Sequence, residues 1–411
     1  MERSKETDVQ ARGAGPIHRQ GARRYSLAPS GIAARIVLAI LTSAGILYAN
    51  LVPVITFGVA QSPGFTSETA GFVFSVNMYG SAIGGFAIMF VAERLRWRSA
   101  ARVLLGLLIG ADLLSAWIDV ATALYAIRFV HGLVGGALIG VGMAVIARTE
   151  KPERTFAFLL VIQLGLGGVG VAFLTPLIPS LGVSVVWLSL AVFSAVALTL
   201  LPLLDDYAVN TGKASIEVST RRASWLPIAL ALTSLFFYQA GQMSAFAYMI
   251  ELGNHYLLDA GFISLAIALS LWIGGPAALL VAWWSTRSGR LRPASFGVVL
   301  TAGAVAVLFV RDPSAFLLGN IGLNVFFSLT IPYLLGVASE MDSRGQMAAV
   351  AGFVNSLGLA SGPAMAAIVL GDGHFERIVG FAVIMLAASA VLIVVPARML
   401  DIRSKRGRVL W

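Results

Sequence analysis

The chain has 411 residues, 58% of them hydrophobic and only 12% charged, and its mean hydropathy is +0.86. Soluble domains carry roughly 25% charged residues, so this composition excludes an ordinary soluble globular protein: one aqueous core could not hide so much apolar surface. The net charge of +9 would suit nucleic acid in a soluble chain, but the cations fall between long apolar blocks, and the absence of Cys excludes disulfides, thiolate metal sites and cysteine nucleophiles.

Residues 1–31 hold Arg3, Lys5, Arg12, Arg19, Arg23 and Arg24 among Gly, Pro and Ser, the composition of a disordered, solvated basic tail near anionic lipid. The apolar block that follows is long enough to remain in the membrane, unlike the short apolar region of a signal peptide. Blocks of the length that crosses a hydrocarbon core then recur at 32–57, 70–91, 101–117, 124–146, 156–177 and 183–204. A polar linker at 205–222 separates them from a second set at 226–250, 261–284, 294–310, 316–337, 347–370 and 378–400, and a basic tail at 401–411 closes the chain. The expected fold is an all-α membrane protein of twelve transmembrane helices in two six-helix bundles, 32–204 and 223–400. The long first and seventh spans and the short ninth are expected to kink or tilt. All of the 29 Lys and Arg residues except Arg128, Arg311 and Arg377 lie in the tails, in the connections on one side, or at span ends beside them. By the positive-inside rule this puts both tails and the linker in the cytoplasm.

The halves repeat. Ala70-Gly71-Phe72 matches Ala260-Gly261-Phe262, and Ile83-Gly84-Gly85 matches Ile273-Gly274-Gly275, both at an offset of 190 residues (261 − 71 and 274 − 84). The same offset sets Tyr48 on Tyr238 and Gly168 on Gly358. Two related six-helix halves imply a pseudo-two-fold axis along the membrane normal and a site near the midplane. In this the chain resembles the major facilitator superfamily of secondary transporters, over about residues 31–400.

The fourth span carries Arg128, Gly132, Gly136 and Gly140 at fourfold spacing, similar to the superfamily's fourth-helix signature: a stripe for close helix approach with a cation at one end. Asp112, in the third span, lies level with Arg128 when both spans are measured from their shared turn, so the two are expected to form an ion pair or a proton-coupling site. His131, on the same face as Arg128, is either a packing residue or a further titratable group. Thr286-Arg287-Ser288-Gly289-Arg290 is similar to the superfamily's gating loop Asp-Arg-x-Gly-Arg, with Thr for the Asp, and Glu93-Arg94 holds the equivalent place in the first half. Gly358, Gly362 and Pro363 resemble the Gly-x-x-x-Gly-Pro element that drug/proton antiporters of the family carry in span five, although here it lies in span eleven.

The resemblance places spans one, four, seven and ten around a central cavity. The polar residues of those spans supply the candidate solute-binding set: Tyr48, Asn50, Arg128, His131, Tyr238, Gln239, Gln242, Asn320 and Asn324. A fixed cation with amides and tyrosines, and no acid deep in the second half, suits a neutral or anionic small organic solute, with aromatic and carboxylated metabolites among the candidates. Proton-coupled carriage of such a solute by alternating access is the first expectation, and an efflux antiporter the alternative. Of other classes, a non-transporting sensor fits the degenerate loops. A membrane-embedded enzyme would need a His/Glu zinc pair, a Gly-Lys-Ser/Thr loop or an Asp-rich cluster, and none is present. No cofactor, metal or nucleic acid is expected. The expected partners are the solute, the proton and membrane lipid, the protein being a monomer in a bacterial inner membrane.

Overall fold

The computed structural model describes residues 27–91, 95–207, 225–284, 289–341, 346–371 and 373–408. Most of the amino-terminal tail, most of the linker, and Glu93, Arg94 and Arg287 of the expected gating loops lie outside the described residues. Every regular element among the described residues is a helix, as long apolar stretches require when their own backbone must satisfy every N–H and C=O.

The first half contains α1 (Ile32–Asn50), α2 (Val52–Ala60), α3 (Ser67–Met89), α4 (Trp97–Ser115), α5 (Ala121–Ile146), α6 (Pro152–Leu174), the single turn α7 (Ile178–Leu181) and α8 (Ser184–Leu200). The second contains α9 (Trp225–Ala247), α10 (Met249–His255), α11 (Ala260–Trp284), α12 (Leu291–Val307), α13 (Pro313–Ser339), α14 (Gln346–Leu370) and α15 (Phe375–Arg408). The long first span breaks at Leu51, just before Pro53, and the long seventh at Tyr248. Among the described residues nine helices are long and apolar enough to cross a membrane, and α12 is a shorter apolar one. The helix α4 carries Arg98, Arg102 and Asp112, and α9 carries Gln239 and Gln242; these polar groups keep both outside the nine. The whole set is consistent with twelve passes.

The packing repeats between the halves. The helix α3 lies on α5 as α11 does on α13, α4 on α8 as α12 on α15, and α1 on α6 as α9 on α14. The halves meet along α3–α14 and α6–α11, a pair of contacts that the same pseudo-symmetry exchanges. Tyr79 Oη and Ser361 Oγ, 2.9 Å apart, tie the first seam, and Trp272 Nε1 donates to Gly165 O at 3.1 Å across the second.

One end of the bundle, called the basic face below, carries Arg96, Arg98, Arg148 and Arg290; the far face carries α2 and α10. At the far face the halves are in contact. Thr56 Oγ1 donates to Ala247 O, Tyr248 Oη donates to Ser67 O at 3.0 Å, and α2 packs on α9 and α10. Toward the basic face a groove of about 240 Å³ is lined by Gly85, Phe86 and Met89 of α3 and by Gly352, Phe353 and Ser356 of α14, with the Phe86 and Phe353 rings 5.1 Å apart.

Candidate functional site

The site begins with glycine. A Cβ added at Gly132 would lie 1.8 Å from Asn77 O, one at Gly136 2.0 Å from Ser81 O, and one at Gly84 2.0 Å from Leu133 O, so α3 and α5 cross backbone to backbone. The fourth-span stripe is therefore a packing face, and its effect is to press Asn77 of α3 against the first turns of α5. There the Asn77 amide nitrogen reaches Arg128 O at 2.9 Å and His131 Nδ1 at 2.8 Å.

These two contacts assign the histidine tautomer. The Arg128 carbonyl can only accept, so the amide group turned toward it is the NH2; His131 Nδ1 must accept from the same nitrogen and carries no proton. The ring proton is then on Nε2, which lies 3.2 Å from Asp112 Oδ1 and donates to it. Arg128 Nη1 donates to the same oxygen at 2.9 Å, and its Nε donates to Ser115 Oγ at 3.0 Å. Ser115 in turn donates to Ala111 O at 2.8 Å. Residues 112 and 115 stand one turn apart on α4, so one face of that helix offers both the carboxylate and the hydroxyl.

Aromatic rings seal this network. The Arg128 guanidinium carbon lies 4.1 Å from the Trp187 ring centroid and 5.8 Å from that of Tyr48. Tyr48 stacks on Phe74 at 5.3 Å and touches the His131 ring at 5.5 Å. Asp112 and Arg128 are wholly buried, a placement tolerable only because the charges meet each other, hydrogen bonds and a π face. Satisfaction is incomplete: Asp112 Oδ2, Tyr48 Oη and Trp187 Nε1 are buried with no hydrogen-bond partner among the described residues.

The other expected solute-binding residues do not join this cluster. Asn50 donates to Gln163 O at 3.1 Å, linking α1 to α6. Tyr238, matched to Tyr48 by the repeat, is buried inside the second half, 3.1 Å from Thr301 Oγ1 and stacked on Phe327. Gln239 Nε2 donates to Asn355 Oδ1 at 2.7 Å, where Gly358 and Gly362 let α14 close on α9. Asn324 Nδ2 donates to Ser270 Oγ at 2.9 Å, and Asn320 Nδ2 bonds back to Phe316 O of its own helix at 2.8 Å. Gln239, Gln242 and Asn320 each keep a buried amide oxygen with no partner among the described residues. The nine residues thus divide between an ionic network in the first half and separate amide contacts, largely in the second.

Of the gating-loop set, Gly289 and Arg290 are described. Gly289 has φ +80°, a left-handed conformation that glycine adopts without strain, and a Cβ there would lie 2.8 Å from Asp401 Oδ2. That turn brings Arg290 N to Asp401 Oδ1 at 2.8 Å and Leu291 N to Asp401 Oδ2 at 3.1 Å, so a carboxylate of α15 caps the amino end of α12. The Arg290 guanidinium also pairs with Glu340 at the end of α13. Three helix ends of the second half are pinned together at the basic face.

Ser115 and Trp187 were missed by sequence reasoning. Ser115 could have been found from its one-turn spacing after Asp112; nothing local marks Trp187, which reaches Arg128 from α8.

The family model of the Major Facilitator Superfamily matches residues 37–239. The crystal structure of the nucleoside transporter NupG aligns with a TM-score of 0.68 at 13% identity, over 89% of this chain and 99% of that one. The crystal structure of a D-xylose-proton symporter aligns with a TM-score of 0.69 at 15% identity, over 88% and 97%. A comparison with curated proteins finds no match. At such identities the two structures speak for the fold, and the fold agrees with the matched model and with the packing repeated in the two halves. This multi-pass membrane protein belongs to the major facilitator superfamily of secondary transporters.

Proposed function

We propose that the protein is a proton-coupled carrier of a small neutral or anionic organic solute, working by alternating access with the Asp112–Arg128–His131 network as its coupling site. One observation carries the reading: a wholly buried carboxylate that accepts from an arginine and a neutral histidine through one oxygen while its other oxygen has no partner among the described residues. A purely structural ion pair gains from satisfying both oxygens, whereas a proton-binding carboxyl needs one left free. The solute site is proposed to include Gln239 and Gln242 of α9, whose buried amide oxygens have no partner among the described residues. The pinning of Gly289–Arg290 to Asp401 and Glu340 holds the second half together as it moves, and the seams α3–α14 and α6–α11 are where one half rocks against the other. The distribution of Lys and Arg supports cytoplasmic termini, and the low Lys, high Ala, Gly and Arg content and short loops suit a bacterial inner membrane.

The test is reconstitution in liposomes under an imposed pH gradient, with organic acids, nucleobases, nucleosides, pentoses, vitamins and drugs screened for solute-evoked proton flux. Co-movement of solute and proton is the expected result, and counter-movement identifies an antiporter. Asp112→Asn is expected to retain solute exchange and to lose accumulation driven by the pH gradient. Accumulation retained in that variant removes Asp112 from the coupling role.

A further inference from the structure

A second opening on the far face leads to the same network from within the first half. A vestibule of about 430 Å³ lies among the ends of α2, α4, α5 and α8. Its mouth is set by Ser62, Asp119 and Gly182, and its floor by Ser115 and Trp187. Both floor residues touch Arg128: Ser115 Oγ accepts from Nε at 3.0 Å, and the indole ring lies under the guanidinium at 4.1 Å. Trp187 is fully buried, yet its indole N–H has no hydrogen-bond partner among the described residues. Ser115 Oγ, already accepting one bond and donating one, keeps a second lone pair. The floor therefore offers an unused donor beside an unused acceptor site, the pair that an ordered water chain requires.

All residues lining this vestibule belong to the first half, whereas the far-face contacts Thr56–Ala247 and Tyr248–Ser67 run between the halves. The vestibule thus stays open while the cleft between the halves is shut on that face. We propose that it is the aqueous route by which Asp112 exchanges its proton with the far-face solvent, separate from the path the solute takes. Hydronium entering it gives a proton to the free Asp112 Oδ2 and leaves as water, once Arg128 swings off Ser115; release runs in reverse. The charged and titratable groups facing Asp112 are Arg128 and His131 from α5 and Tyr48 from α1, while α3 and α8 contribute the uncharged Asn77 and Trp187. Asp119 at the mouth supplies a negative charge that attracts hydronium.

The inference rests on the coupling role proposed for Asp112, and the experiment separates the two. The chain has no native Cys, so Ala116→Cys in the vestibule wall and Ser356→Cys in the groove between the halves are each unique thiols. Each is folded in lipid nanodiscs and then blocked with a bulky methanethiosulfonate. The infrared carboxyl band assigned by its loss in Asp112→Asn is then followed after a pH jump. Loss of the fast protonation phase on blocking Ala116→Cys, and its survival on blocking Ser356→Cys, is the expected result. A fast phase unchanged by the vestibule block overturns the route alone. A band that titrates in no variant overturns the coupling role and this route with it. Independently of Asp112, Ser115→Cys on the floor should react with a small water-soluble thiol reagent added at the far face. An inert Cys there, beside a reactive Ala116→Cys, also overturns the route.

Discussion

Arg128 has five kinds of neighbour: a carboxylate, a hydroxyl, a backbone carbonyl, an indole face and a phenol ring. Removing one partner of such a buried pair strands the other charge, at about 3–5 kcal/mol, whereas removing both leaves neutral groups to repack. Asp112→Asn is therefore expected to lower the folded yield and melting temperature in detergent, and the double variant Asp112→Asn/Arg128→Gln to recover part of the loss. Equal losses in the single and double variants would reject the pairing. Glu251 is the opposite case. It sits on α10, beyond the end of α9, is 7% exposed, and neither carboxyl oxygen reaches a partner among the described residues. Burial pushes its carboxyl up to about 8 from the ordinary 4.5. Between those values the folded protein holds a proton that the unfolded chain has released, so stability falls as pH rises from 4.5 through 8. Glu251→Gln is expected to flatten this slope and to be the more stable protein above pH 8, as read by thermal unfolding across that range.

Helix pairs in this molecule are held by what their contact faces omit. The α3–α5 crossing allows no Cβ at Gly132, Gly136, Gly80 or Gly84, and the atoms each would strike are backbone, which cannot rotate away. Gly132→Ala is expected to splay the two helices, part Asn77 from His131 and reduce folded yield sharply. Gly110→Ala, on α4 with nothing within 4 Å of the added Cβ, should be neutral or gain up to about 1 kcal/mol from helix propensity. Size-exclusion recovery of the two variants side by side checks both statements. The fourfold spacing of Gly132, Gly136 and Gly140 was legible because it follows from helical geometry alone. The answering stripe on α3, Gly80 and Gly84, has meaning only once the two helices are known to touch.

Between the halves the far face is closed by few polar bonds, of which Tyr248 Oη to Ser67 O is one, with Gly71 leaving room for the tyrosine. Tyr248→Phe removes that bond and keeps the ring, so it is expected to shift the population toward a state open at the far face. Spin-label distances between the ends of α2 and α10 should lengthen or broaden; an unchanged distribution would show that packing alone holds the closure. The membrane class, the two halves and the breaks in the long first and seventh spans were all readable from hydropathy, the offset of 190 residues and span length, because one-dimensional periodicity and the thickness of a bilayer govern them. The level placement of Asp112 and Arg128 could likewise be counted along two helices joined by a short turn. The chain order alone did not decide that the repeat is chemically one-sided. Tyr48 packs over a charge network, three residues before the break at Leu51, while Tyr238, matched to it by the 190-residue offset, stands ten residues before the break at Tyr248 and meets Thr301, Thr330 and Phe327 instead. Nor could it decide that Trp187 would floor a vestibule over Arg128. Such contacts join residues far apart in the chain, and their geometry is set by side-chain packing between helices that no local pattern encodes.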